Sequence, residues 1–162
     1  MTISDGEIFR QTVGRFATGV TVVTVEAGDR PHGMTVNSFT SVSLDPPLVL
    51  FSADRETNSH DFIAEAEHYA VNILSAEQEW LSNRFAGEHH EMDAPFGDVP
   101  YTVAETGAPI IEKTLGYLDC SLEASYDGGD HTIYLGRVED LDVNEAHENP
   151  LLFYEAEYRT FQ

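Results

Sequence analysis

The 162-residue chain predicts one mainly β domain: short antiparallel strands closing into a barrel, with two or three helices as decoration. Three observations carry this. Brief apolar runs recur from Val20 to Phe161, each too short for a buried helix. Only a few segments between them show helical spacing. A long alternating segment, Leu118, Cys120, Leu122 and Ala124 against Asp119, Ser121, Glu123 and Ser125, meets Gly128-Gly129 and a returning strand, the pattern of a hairpin.

The elements follow in order. Ser4-Asp5-Gly6-Glu7 has capping-box spacing, and Ile8, Phe9, Thr12, Val13 and Phe16 extend a helix over residues 5–17, ended by Gly19. Val20 to Val25 is β-branched at every position, a buried strand, and Gly28-Asp29 is a turn. His32 to Phe39 and Ser41 to Leu44 read as short strands. Asp45-Pro46-Pro47 interrupts, because proline donates no ladder bond, and Leu48 to Ala53 is the next strand. A helix spans about Ser59 to Glu67, with Phe62, Ile63 and Ala66 inward, and Tyr69 to Leu74 is a strand. Ser75-Ala76-Glu77-Gln78 is a second capping box, opening a helix through Trp80, Leu81 and Phe85 to Gly87. Glu88 to Pro100 is loop-like, a lid or a solvated insertion. Thr132 to Val143 returns along the alternating strand, with a bulge at Gly136 where the apolar phase shifts. Leu151 to Tyr154 and Tyr158 to Phe161 are the last strands.

Charge narrows the function. Acids number 29 against 8 basic residues, a net charge of −21, and Lys113 is the single lysine. That excludes a nucleic-acid binder, which needs a basic footprint, and an anionic membrane surface as partner. No apolar run is long enough to span a membrane, and residues 1–9 lack a signal-peptide core, so a cytoplasmic location is expected. The acids are dispersed among apolar segments. With lysine this scarce, the composition is that of a cytoplasmic protein from a halophile that accumulates salt.

Catalytic signatures are mostly missing. There is no Gly-x-Gly-x-x-Gly, no P-loop lysine and no Gly-x-Ser-x-Gly elbow. His89-His90-Glu91 is the one dense metal-like cluster, but adjacent histidines diverge, so these read as solvated loop residues and no metal site is expected. The sole cysteine, Cys120, excludes an internal disulfide and reads as core, as does Trp80 as a packing residue. The informative stretch is Gly33 to Ser43, dense in hydroxyls, with Asn37 adding an amide. Polar groups between apolar strands need partners. They form either a self-satisfied network or the bed of a flat polar ring.

This sequence resembles the flavin reductase-like family, the short-chain reductases that supply reduced flavin to two-component monooxygenases. Phe16 to Thr24 matches the family's opening. Gly33 to Leu48, with Asn37-Ser38-Phe39, Ser41-Val42-Ser43-Leu44 and Pro46-Pro47-Leu48, matches its flavin segment. Gly129-Asp130-His131, then Ile133, Gly136 and Val138, matches its late hairpin; Leu118-Asp119-Cys120 and Pro150 to Tyr154 also agree. The resemblance spans about residues 7–161.

It implies an antiparallel, Greek-key-like FMN-binding split barrel, a homodimer, FMN (or FAD) as flavin, NADH or NADPH as hydride donor, and a monooxygenase partner reached by diffusible flavin. By position, Met34, Thr35, Val36, Asn37 and Ser38 should line the isoalloxazine and ribityl chain, with Thr35–Ser38 donating to the reduced ring. Ser52, Ala53 and Asp54 should approach the ribityl chain and phosphate. Ser59, opening a helix, suits the phosphate. Phe85 should border the pocket, and His131 should position the nicotinamide. Arg10, Arg15, Arg55 and Arg84 are the candidates for a second phosphate; their scarcity favours NADH. Two other readings share the fold: a flavoprotein that holds or carries FMN without pyridine-nucleotide turnover, and an FMN-dependent reductase of another acceptor such as ferric iron. Gly33 either admits the flavin closely or relieves a bend, and Tyr154 and Tyr158 either edge the pocket or pack the barrel. His32 and His60 have no argument beyond location.

Overall fold

Consecutive β-branched residues can all be buried only where both faces of their strand are covered. The run at Val20–Val25 meets that condition: in the computed structural model, which describes residues 6–88, 96–146 and 148–162, every one of these positions is buried. The chain order is helix α1 (Gly6–Gly14), strands β1 (Thr18–Gly19), β2 (Thr21–Ala27), β3 (Arg30–Val36), β4 (Thr40–Leu44) and β5 (Pro47–Asp54), then helix α2 (Asn58–Glu65) and β6 (His68–Ile73). A 3₁₀ turn (Ala76–Gln78), helix α3 (Glu79–Asn83) and a π-helical turn (Arg84–Glu88) follow, and then β7 (Tyr101–Val103), β8 (Pro109–Ile111), β9 (Gly116–Gly128), β10 (His131–Val143), β11 (Leu152–Tyr154) and β12 (Glu157–Arg159). No helix among the described residues is long and apolar enough to cross a membrane.

Seven strands form one antiparallel sheet in the order β3-β2-β6-β9-β10-β5-β4; β1-β11-β12 and β7-β8 form two smaller ones. The closed barrel expected from the sequence is not formed: β3 and β4 are the free ends of the large sheet. Ser38 ties the link between the two edge strands to β5. Antiparallel pairing of β4 with β5 stops at Thr40↔Leu50, and two residues further on the Ser38 hydroxyl takes over. Its Oγ accepts from the Ser52 N–H at 3.1 Å and donates to the Ser52 carbonyl at 2.8 Å. A side chain thus occupies the place where a ladder would continue.

Two apolar cores flank β2. One holds Val23, Val25, Met34, Val36, Phe51, Ala53, Tyr69, Cys120 and Tyr134 beneath Ile63 of α2; the other holds Val22, Leu74, Leu81, Phe85, Phe96, Val99, Ile111 and Leu151. At about 25 cal/mol per Å² of apolar surface, this burial dominates stability. The buried hydroxyl of Thr24 bonds to the Pro109 carbonyl, and Asn72 donates to Val22 O and Thr24 while accepting from the Ile111 N–H. These bonds dock the β7–β8 hairpin on the sheet. Pattern reading misses that hairpin because its strands have three residues each, one of them proline.

Other expectations meet mixed outcomes. The Gly128-Gly129 hairpin and the Gly136 bulge are present, the register shifting between Leu135 and Gly136. Pro47 opens β5 and does not exclude pairing. In the second capping box, Gln78 Oε1 accepts from the Ser75 N–H and Gln78 N donates back to Ser75 O. It opens a 3₁₀ turn before α3, and Gly87 at φ 88° breaks the helical course where expected. Trp80 does not pack inward: it is half exposed, with the Arg84 guanidinium 5.3 Å from its ring. Phe96 and Val99 are buried in the second core, so the end of the Glu88–Pro100 segment is not a solvated insertion. Ser4 and His89-His90-Glu91 lie outside the described residues. Helix α1 buries none of its side chains: Ile8, Phe9 and Val13 are exposed, and so is Phe16 just beyond its end.

Candidate functional site

The site is built around the end of β5. Beyond Asp54 the chain turns back: Asp54 Oδ1 accepts from the Glu56 N–H at 2.9 Å, and the Asp54 carbonyl accepts from the Thr57 hydroxyl at 2.8 Å. Thr57 holds the N-cap position of α2, but its hydroxyl is spent on Asp54 and makes no capping bond. The His60 N–H donates to the Thr57 carbonyl at 3.1 Å, which leaves the Asn58 and Ser59 N–H groups of the first turn for an anion. Ser59 sits in that turn, half-buried, with no side-chain hydrogen bond among the described residues. Asn37, exposed after β3, likewise keeps its amide free.

Strand β10 lies alongside. His131 pairs with Asp54, Thr132 with Ala53 and Ile133 with Ser52. His131 Nδ1 lies 2.7 Å from Asp130 Oδ1, and this hydrogen bond holds the Asp130 carboxyl below the usual carboxylate range. Arg55 binds Asp127 Oδ1 through Nη2 at 2.6 Å and Thr132 Oγ1 through Nε at 3.1 Å. His60 Nε2 lies 2.9 Å from the same Thr132 oxygen and 3.2 Å from Tyr134 Oη.

The fold thus brings together Ser38 and Ser52 by hydrogen bonds, and Ser52, Ala53 and Asp54 with His131 by register. Met34 meets the turn through its sulfur, 3.8 Å from the Thr57 hydroxyl. The remaining residues have other contacts. Met34, Val36 and Ala53 turn their side chains into the first core, leaving only backbone to a ligand. The Thr35 hydroxyl donates to Ser82 O at 2.7 Å, tying β3 to α3. Phe85 packs on the face of β3 opposite Met34 and Val36. A Cβ at Gly33 would sit 2.8 Å from its ring, so Gly33 makes room for Phe85. Tyr158 bonds Ser82 at 2.7 Å and packs against Phe153 with the rings tilted by 60°, a packing role. His60 and Thr132 are the residues that sequence reasoning overlooked. They lie 72 positions apart and meet only because β5 pairs with β10.

Two clefts lie away from these residues, about 110 Å³ at Glu26, Glu67 and Thr106–Ala108, and about 360 Å³ beside Lys113 and Asp142–Glu145. Among the described residues no group of three or more metal-ligating side chains converges. The donor set is hydroxyl, amide and free helix N–H, which fits a polar, phosphate-bearing ring system. An antiparallel sheet offering such donors beside an oriented histidine is the frame of a cofactor-binding redox protein.

The chain belongs to the flavin reductase family: the model of the flavin reductase like domain matches residues 13–162. It is 44% identical over 147 residues to the FMN reductase (NADH) SmoA of Agrobacterium fabrum, covering 90% of this chain and 80% of that protein. It is 38% identical over 155 residues to HsaB of Mycobacterium tuberculosis, the reductase subunit of a flavin-dependent monooxygenase, covering 95% and 81%. Its fold superposes on the NADH:FAD oxidoreductase SgcE6 of Streptomyces globisporus with a TM-score of 0.91 at 39% identity, covering 100% of this chain and 96% of that one.

Proposed function

We propose that this chain is an NADH-dependent flavin reductase that takes FMN as its flavin. One observation carries the assignment to this surface: in a chain of the flavin reductase family, the free donors of Ser59 and the start of α2 follow the end of β5, Asn37 is tied to β5 through the neighbouring Ser38–Ser52 bonds, and His131 is paired to the β5 end. The bound flavin supplies the redox chemistry, accepting hydride from the nicotinamide. The protein's residues bind and orient. Backbone from Met34 to Ser38 and the Asn37 amide hold the ring edge; Thr35 and Phe85 fix β3 from behind. Ser52, Ala53 and Asp54 follow the ribityl chain, and Ser59 with the α2 amides takes the phosphate. His131, steadied by Asp130, positions the nicotinamide. NADH fits better than NADPH because Arg55, the cation of this cluster, is already engaged by Asp127.

The test is direct. Purified protein with FMN and NADH in molar salt should bleach the flavin's visible band. Persistent absorbance with tightly bound flavin would instead make it a carrier.

The turn of β3 toward β5, bridged by Ser38, supports the split-barrel reading. The uncovered stripe of α1, with Phe16 77% exposed, together with Leu44 at 92%, supports a homodimer in which a second copy covers them. Light scattering after gel filtration should give twice the 18.0 kDa chain mass. The kinship with a monooxygenase reductase subunit supports a partner oxygenase that takes reduced flavin by diffusion. One cysteine, reduced and buried, accords with a cytoplasmic setting.

A further inference from the structure

We propose that Thr132 is a positioning residue that locks the flavin side of the site to the nicotinamide side. The inference rests on the site reading given above. The ladder between β5 and β10 ends at Asp54↔His131, so everything beyond Asp54 is held to the hairpin by other bonds. Thr132 is where they meet. Its Oγ1 accepts from Arg55 Nε at 3.1 Å and lies 2.9 Å from His60 Nε2. A hydroxyl has one proton and two lone pairs. With Arg55 donating, the proton and the second lone pair both remain for His60 Nε2, so one oxygen satisfies both side chains in either His60 tautomer.

Arg55 belongs to the turn after β5 and His60 to the first turn of α2, the two segments assigned to the flavin. Thr132 directly follows His131, assigned to the nicotinamide. Arg55 is pinned to the hairpin tip as well, through Asp127 and through its own N–H to the Asp130 carbonyl at 3.0 Å. Tyr134 Oη, also on β10, adds a contact to His60. Hydride transfer depends steeply on the approach of two rings held by different segments, so a hub tying those segments together sets their separation.

T132V removes the hydroxyl at nearly constant volume and T132S keeps it. Parent and variants are compared by urea melt, by amide hydrogen exchange at Arg55 with and without FMN, and by stopped-flow bleaching of bound FMN with NADH. For T132V we expect a urea midpoint near the parent's, FMN affinity within about threefold, Arg55 exchange faster by about tenfold and bleaching slower by about tenfold; T132S should restore both rates. T132V matching the parent in exchange and bleaching overturns the proposal, and so does a defect that T132S shares. Should T132V fail to fold, R55Q removes one partner of the same oxygen and is read the same way. A parent that binds FMN but never bleaches would overturn the enzymatic reading, while the exchange measurement still reports whether the lock exists.

Discussion

Gly136 shows how one atom can constrain a sheet. A Cβ there would lie 2.1 Å from Tyr69 Oη and 3.1 Å from the Cys120 Cβ. Tyr69 is buried and its hydroxyl has no hydrogen-bond partner among the described residues, so packing holds the ring. The β9–β10 bulge therefore requires glycine for space. We expect G136A to cost on the order of 1–3 kcal/mol in a urea melt, with part recovered by adding Y69F. Y69F alone should be near neutral, since it deletes an unsatisfied buried group. His131 is the residue proposed to position the nicotinamide. It is half exposed at the start of β10, and Asp130 fixes its ring. H131A should keep its FMN affinity and lose about ten- to a hundredfold in reduction of bound FMN by NADH, about 1.4–2.8 kcal/mol of positioning. Stopped-flow bleaching at the parent rate would return His131 to a plain hairpin histidine.

At the scale of elements, α2 is the one proposed to take the phosphate, and its seat on β3 is aromatic. The His32 ring stacks on Phe62 with centroids 3.7 Å apart and planes 14° apart. Burial pushes the His32 imidazole below its ordinary value of 6.5; a backbone bond to Ala27 opposes this and Arg30 adds to it. The folded state thus holds fewer protons than the unfolded chain just below that pH, and stability must fall as pH drops through this window, levelling off once His32 is charged in both states. H32F keeps a ring for Phe62 and removes the titration. Urea midpoints taken between about pH 7.5 and about pH 5.5 should fall more in the parent than in H32F. Equal falls would place the pH sensitivity on other groups.

The whole molecule is governed by its charge. Of its seven arginines, five form ion pairs: Arg15 with Glu155, Arg55 with Asp127, Arg84 with Asp98, Arg137 with Glu123 and Arg159 with Glu157. Little positive charge remains to offset a net −21. In molar salt the Debye length is about 3 Å, so self-repulsion of this magnitude is largely screened. NADH and FMN are anions and meet the same field. Stability should rise with KCl, and the KM for NADH should fall toward the molar range wherever the protein stays folded. A KM that is flat or rises across that series would leave the acidic surface without this role.

The strands were legible in the sequence because burial writes a local pattern. Thr21–Val25 needed both faces covered and is β-branched throughout; β9 alternates only over Leu122–Ser125, since Asp119, expected to face outward, is buried and accepts from the Thr106 N–H; Gly128-Gly129 marks the β9–β10 hairpin and Gly136 the bulge. Residue types at Asn37, Ser38 and Gly129-Asp130-His131 carried the family and, with it, the candidate site. Contacts between distant segments leave no such pattern. The Ser38–Ser52 bridge that stands in for barrel closure, the turn of Met34 and Val36 into the core, the fit of Phe85 over Gly33 and the meeting of Arg55, His60 and Thr132 each join residues far apart in the chain. Only the pairing of β5 with β10, and the curl that brings β3 toward β5, decided them, because side chains acquire partners from the folded sheet and not from their neighbours in sequence.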